Sequence, residues 1–212
     1  MTHSNLDLYA ITQLGESLGV RQRVEELCAV AGILIAAQPR HILEIGVYSG
    51  GSFALWCALA SGKKIGIDSG SIGGPIHQHI ADFQARFGQV DIIKGDSHHE
   101  STKQEVLNRL QGEPLDFLFL DGDHTLVGVS LDYQMYGPLV RSGGWIGFHD
   151  ITESDFHKEM NAGGSAEHWS ALEYPRKIHL NWRDPAFGIG MIQITRSPRS
   201  FPWVSASARP VT

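Results

Sequence analysis

Apolar residues in this chain fall into short blocks rich in isoleucine, leucine and phenylalanine. Between the blocks lie longer segments whose apolar positions recur with helical spacing. The blocks predict strands over 41–46, 64–68, 90–96, 115–121 and 145–150, with two more over 178–182 and 188–194. Helices are predicted over 16–38, 52–60, 76–87, 101–110 and 125–140. The first carries Val20, Val24, Leu27, Val30, Ala31 and Leu34 on one stripe and is ended by Pro39. Glycines close the next two, and the last stops before Ser142-Gly143-Gly144. Residues 151–175 read as a loop with one helix, carrying Trp169 and Tyr174 and lying over the strand-end edge. The tail after Thr195 has few core residues and is expected to be flexible or to pack on a partner subunit.

Strands alternating with helices predict an α/β fold with a parallel sheet. In such a sheet the C-terminal strand ends share one edge, where ligands bind. Each of the first five strands ends on or beside an acid: Glu44, Asp68, Asp96, Asp121 and Asp150. His124 and His149 fall among them. Five like charges on one rim do nothing for stability, so the rim suggests a site for hydroxyl donors, a cation, or both.

Composition narrows this only modestly. The 212 residues suit one domain with extensions. The net charge of −6, without a lysine or arginine run, argues against nucleic acid or an anionic membrane as partner. No charged-then-apolar leader and no bilayer-length apolar run are apparent. Cys28 and Cys57 lie in apolar helical segments and read as core thiols of a reducing compartment. The expectation is a cytoplasmic protein. Its apolar first helix and its tail could serve a homodimer.

The first strand-turn-helix reads Glu44-Ile-Gly-Val-Tyr-Ser-Gly-Gly-Ser52. It lacks the Gly-x-Gly-x-x-Gly spacing of dinucleotide sites. An acid before the first glycine is unfavourable beside a pyrophosphate and favourable beside an amine or a sulfonium. The glycines allow close backbone approach, and the helix N-terminus beyond can hold a carboxylate. Asp68 ends the next strand, where an acid accepts the two hydroxyls of a ribose. Gly95-Asp96-Ser97 follows the third, where a purine amine could be read.

These residues resemble class I S-adenosylmethionine-dependent methyltransferases. The first turn looks like that of catechol O-methyltransferase and its relatives. Leu120-Asp-Gly-Asp-His124, Gly137-Pro-Leu-Val140 and Gly143-Gly-Trp-Ile-Gly-Phe-His-Asp150 look like the cephalosporin hydroxylase group, which resembles macrocin-type sugar O-methyltransferases. The resemblance implies a Rossmann-like, seven-stranded methyltransferase sheet with helices on both faces. The chain reads as an N-terminal extension and helix over 1–38, a cofactor-binding domain over 39–195 and a tail over 196–212; within the domain 151–175, where the resemblance is weak, reads as a variable substrate lid or else a loop anchored by Trp169 and Tyr174.

By resemblance, Glu44, Gly46, Tyr48 and Ser52 flank the methionine part of S-adenosylmethionine, Asp68 takes the ribose, and Asp96 and Ser97 take the adenine. Asp121 borders the cofactor and, with His149 and Asp150, would hold a divalent metal, magnesium or manganese. Relatives such as catechol O-methyltransferase carry an acid where His149 stands. An imidazole suits manganese, iron or zinc better than magnesium, so either the metal is softer or His149 points elsewhere. His124, three residues past Asp121, matches the proposed general base. It could instead cap the next helix or ligate the metal. Asp123 reads as a helix-cap residue, and His98 and His99, being adjacent, have diverging side chains.

The implied reaction is metal-assisted O-methylation of a small hydroxylated acceptor, a sugar or natural product. Two other classes stay open: a cofactor-binding accessory protein without turnover, and a metal-dependent hydrolase suggested loosely by Asp121-Gly-Asp-His124, Gly95-Asp-Ser-His98 and His149-Asp150.

Overall fold

The computed structural model describes residue 19 and residues 21–155, 159, 162–181 and 187–195. Helices α1 (Val24–Ala37), α2 (Gly51–Leu59), α3 (Ile80–Phe87), α4 (Glu100–Leu110), α5 (Leu126–Tyr136) and α6 (Gly164–Ala171) surround one sheet. Its strands are β1 (Ile42–Ile45), β2 (Lys64–Asp68), β3 (Val90–Lys94), β4 (Leu115–Leu120), β5 (Val140–His149), β6 (Lys177–Leu180) and β7 (Ile189–Gln193). The seven strands run in the order β3-β2-β1-β4-β5-β7-β6. The first five are mutually parallel, and β7 is antiparallel to both β5 and β6. Sheet order and helices on both faces match the expected class.

The central strands are apolar on both faces because both faces are covered. Along β4, Phe117 and Phe119 pack with α1, α2 and α3, while Leu118 and Leu120 join the core under α4, α5 and α6. That is the two-residue period of a strand. Trp56 meets the Phe117 and Phe119 rings edge-on at 5.3 and 5.4 Å. The one acid inside β4, Asp116, is compensated. It accepts the Arg40 and His41 N–H groups at 2.9 and 2.8 Å and faces the Arg141 guanidinium at 2.6 Å.

Several predicted boundaries move. The helix expected over 16–38 begins at Val24, because Arg23 is extended and residues 21–23 are irregular. Residues 16–18 and 20 lie outside the described residues. The helix expected over 125–140 ends at Tyr136, where Gly137-Pro138 turns into a short 3-10 segment. Strand β5 then starts at Val140 rather than 145. Gly144 allows this early start, since a Cβ there would lie 2.9 Å from the Asp116 carbonyl oxygen. Cys28 is exposed, not a core thiol, because α1 turns Leu27, Val30, Ala31 and Leu34 inward; Cys57 is buried as expected. Trp182 and the tail over 196–212 fall outside the described residues.

Candidate active site

The C-terminal ends of β1, β2, β4 and β5 open onto one cavity of about 970 Å³. Its lining includes Gly46, Tyr48, Ser52, Asp68, Asp96, Ser97, Asp121, His124, His149 and Asp150. The topology forces this gathering, because parallel strands bring residues distant in sequence to one rim.

The floor is the turn from β1 to α2. Gly46, Tyr48 and Gly50 all have positive φ, 87°, 52° and 93°. At Gly46 a Cβ would lie 2.0 Å from the Asp121 carbonyl oxygen, so only glycine lets β1 and β4 close at the rim. Asp68 fixes the turn from the side. Its carboxylate accepts the Tyr48 N–H at 2.6 Å and the Gly70 N–H at 2.7 Å.

Glu44 is placed differently from the other expected residues. It is fully buried and outside the cavity lining, and it reaches the cavity through Ser52, whose hydroxyl donates to Oε1 at 2.6 Å. Oε2 has no hydrogen-bond partner among the described residues. Burial pushes the Glu44 carboxyl well above its ordinary value, with the Ser52 hydrogen bond pulling the other way. Asp96 lies two residues beyond β3, half-exposed, and caps its own turn by accepting the His98 N–H at 2.9 Å. Ser97 is buried, and its carbonyl accepts the Tyr136 hydroxyl at 2.7 Å.

Asp121, His124, His149 and Asp150 meet at the other end. Asp121 Oδ1 lies 3.1 Å from His124 Nε2 and 2.8 Å from His149 Nδ1. His124 Nδ1 lies 2.9 Å from Asp150 Oδ2, so this ring spans the two acids. Asp150 leaves β5 with φ 55°, a left-handed backbone unusual for a non-glycine residue and typical of functional sites. Donor atoms of Asp121, His124 and His149 all lie within 4.8 Å of one another. Burial alone would raise Asp121, but the two rings outweigh it and hold the carboxyl well below the usual range. Burial likewise opposes charge on His124, yet the hydrogen bonds it donates to Asp121 and Asp150 push it up to about 10. His149 is raised for the same reason, chiefly by Asp121. Asp123 accepts the Thr125 N–H at 2.9 Å, and Thr125 caps α5 through the Gly128 N–H, in keeping with a capping role.

Some lining residues were not legible in the sequence. Gln22, just before α1, donates its side-chain amide to Asp121 Oδ2. Arg21 stacks over the Tyr48 ring at 4.5 Å, and its guanidinium reaches the Tyr48 hydroxyl at 3.2 Å. Both sit in a stretch that reads as helix, and nothing in spacing signals a reach of 99 residues to Asp121. His98 and His99 do not diverge as expected, because both rings come near the Asp96 carboxylate, at 3.5 and 3.7 Å. His99 is exposed, while His98 lies 3.4 Å from the buried Asp132 and is pushed up to about 9, mainly by hydrogen bonding to it. His77 sits 3.7 Å from Asp68 Oδ1. Trp169 and Tyr174 pack into the core, where the Tyr174 hydroxyl meets that of Tyr133 at 2.8 Å; among the described residues of 151–175, Ala162 is in the lining.

This arrangement, an acid-lined rim on a seven-stranded sheet ending in an antiparallel β7, is that of the class I methyltransferases. The family described as methyltransferase domain matches residues 43–151, just over half of the chain, and the chain belongs to that family. An uncharacterised protein, R132, of Acanthamoeba polyphaga mimivirus is 34% identical over 118 residues, covering 52% of this chain and 51% of that protein. The probable caffeoyl-CoA O-methyltransferase 1 of Dictyostelium discoideum is 28% identical over 139 residues, covering 65% and 59%. The chain thus spans about half the length of the curated relatives it matches. Among solved structures, the O-methyltransferase from Bacillus cereus in complex with SAH superimposes with a TM-score of 0.60 at 16% identity, covering 88% of this chain and 90% of that one. The MycE methyltransferase of the mycinamycin biosynthetic pathway, in complex with Mg, SAH and mycinamycin VI, gives 0.58 at 15%, covering 91% and 56%. At these identities the two structures speak for the fold. Among the described residues no helix is long and apolar enough to cross a membrane.

Proposed function

We propose that the protein is an S-adenosylmethionine-dependent O-methyltransferase that uses a divalent metal and acts on a hydroxyl of a small molecule, a sugar or natural product. The carrying observation is that one cavity has a polar turn with Asp68 at one end and the Asp121–His124–His149–Asp150 cluster at the other. Family membership and the named relatives support the same reading.

The residues fit both groups. The glycine turn offers close backbone approach, and Asp68 retains lone pairs beside its two N–H bonds for a ribose. Ser52 donates to Glu44, so its own oxygen is oriented to accept from an ammonium. The opposite cluster pairs an ionised carboxylate with two imidazoles. His149 Nε2 is buried with no hydrogen-bond partner among the described residues, a donor set suited to a divalent ion. Asp121, His149 and either His124 or Asp150 would hold the metal, which lowers the pKa of a bound hydroxyl. Bound at the turn, the cofactor supplies an electrophilic methyl group.

The chain's own contribution is positioning and proton handling. The turn and Asp68 hold one reactant, and the cluster orients the acceptor hydroxyl toward it, so the chemistry gains chiefly from alignment. His124, charged while it faces two bare carboxylates, becomes a base when that negative charge is offset. It is then set to take the acceptor proton while Asp150 holds its far nitrogen. A positioned base contributes roughly 10²–10⁴-fold.

The test is transfer of labelled methyl from S-adenosylmethionine to a panel of hydroxylated small molecules. A chelator should abolish transfer and added manganese restore it, and Asp121→Ala should bind SAH yet lose turnover. Full activity of Asp121→Ala, or indifference to chelator, would remove the metal; absence of SAH binding by the wild type would remove the reading altogether.

A further inference from the structure

Gly19 and residues 21–23, ahead of α1, lie along the cavity and are anchored at points on different elements. The Gly19 carbonyl accepts the Ser49 hydroxyl at 3.3 Å. Arg21 lies on Tyr48 at 4.5 Å, and Arg23 lies on Phe187 at 5.3 Å. Between them Gln22, buried to 9% exposure, sends its amide onto Asp121 Oδ2. The atom facing Asp121 is Nε2 of Gln22, the NH₂ end of the amide, which donates to the carboxylate oxygen.

We infer that Gln22 is a positioning residue that ties down one oxygen of Asp121 and leaves the other, Oδ1, as the single oxygen presented to His124, His149 and a cation. This rests on the metal reading above and adds a residue from outside the strand-end rim. The two oxygens of Asp121 are partitioned: Oδ2 has the amide, and Oδ1 has both rings. A carboxylate pinned in this way binds as a one-oxygen ligand. Such a site favours ions that accept imidazole nitrogen beside a single carboxylate oxygen, zinc foremost and then manganese, which completes six ligands with water. It disfavours calcium, which takes many oxygens and accepts two from one carboxylate. Partners that orient a ligand in this way are typically worth about 10–100-fold in metal affinity.

The experiment uses the full chain with Gln22→Met, which keeps side-chain length and removes the donor, and Gln22→Leu as a second apolar replacement. Manganese and calcium binding are titrated calorimetrically, and SAH binding is titrated without metal. Thermal melting checks the fold, which an irregular segment ahead of α1 leaves largely independent of this side chain. The expected result is a loss of manganese affinity of about 10–100-fold, a smaller change or a gain for calcium, and unchanged SAH affinity. Unchanged manganese affinity overturns the inference, and so does an equal loss of manganese and SAH, which marks general loosening of this segment. If the wild type binds no divalent ion, the metal reading fails first and this inference falls with it.

Discussion

Replacing Gly46 by alanine tests the contact that closes the rim between β1 and β4. Two costs can be separated. The residue has φ +87°, which costs a non-glycine residue roughly 1–2 kcal/mol. The added Cβ would also lie 2.0 Å from the Asp121 oxygen, 2.5 Å from its carbonyl carbon and 2.8 Å from Gly122 Cα. All three are backbone atoms, so no side chain can swing aside. Relief requires the strand ends to part, which strains the Asp121 N–H bond to the Ile45 carbonyl, 2.9 Å long and worth about 1 kcal/mol net. Overpacking adds roughly 1–3 kcal/mol. The sum is about 3–6 kcal/mol, a large part of a typical domain's stability. Gly112→Ala is the control: its φ is +80° with nothing within 4 Å of the added carbon, so it should lose only the conformational part. Urea unfolding of both variants, followed by SAH titration of whatever folds, measures the difference. If Gly46→Ala is no less stable than Gly112→Ala and binds SAH normally, the steric account of the rim is wrong.

Other consequences follow from single side chains. His168, buried beside Tyr133 and Phe148 with Lys177 nearby, is pushed down to about 4 by burial and then by that ammonium. The unfolded ring takes its proton near 6.5. Between these values the unfolded state holds more protons, so His168 lowers stability as pH falls from about 6.5 to about 4, by up to about 3 kcal/mol. Stability–pH curves of wild type and His168→Gln should diverge over that window and run parallel above it; parallel curves throughout would refute the assignment. With Asp68 taking the ribose as proposed, Asp68→Ala should weaken SAH binding by roughly 10–100-fold, the loss of charge-assisted bonds worth about 1.5–3 kcal/mol. An unchanged calorimetric dissociation constant would separate Asp68 from the cofactor.

Much of the fold could be read from the chain because each central strand is a dense apolar block between glycines, and covered parallel strands need no alternation. Asp121, His124, His149 and Asp150 were legible for the same reason: topology alone carries strand ends to one rim. What escaped depended on contacts between distant segments. Gln22 looks like one more polar position within a helix until α1 is seen to start at Val24. Glu44 looks like a rim acid, but strand pleating turns it behind Ser52 and away from the cavity. The extent of α5 was misjudged because Val140 continues the apolar pattern, while Pro138 ends the hydrogen bonding.

The position of β7 bears on how the chain can be made. It lies between β5 and β6, so the last described strand to leave the ribosome must slot into the interior of the sheet. Until Ile189–Gln193 emerges, β5 presents an open hydrogen-bonding edge that could recruit a neighbouring nascent chain. A truncation that removes Ile189–Gln193 should therefore produce insolubility rather than a smaller folded domain, and a tag must leave this late insertion unimpeded.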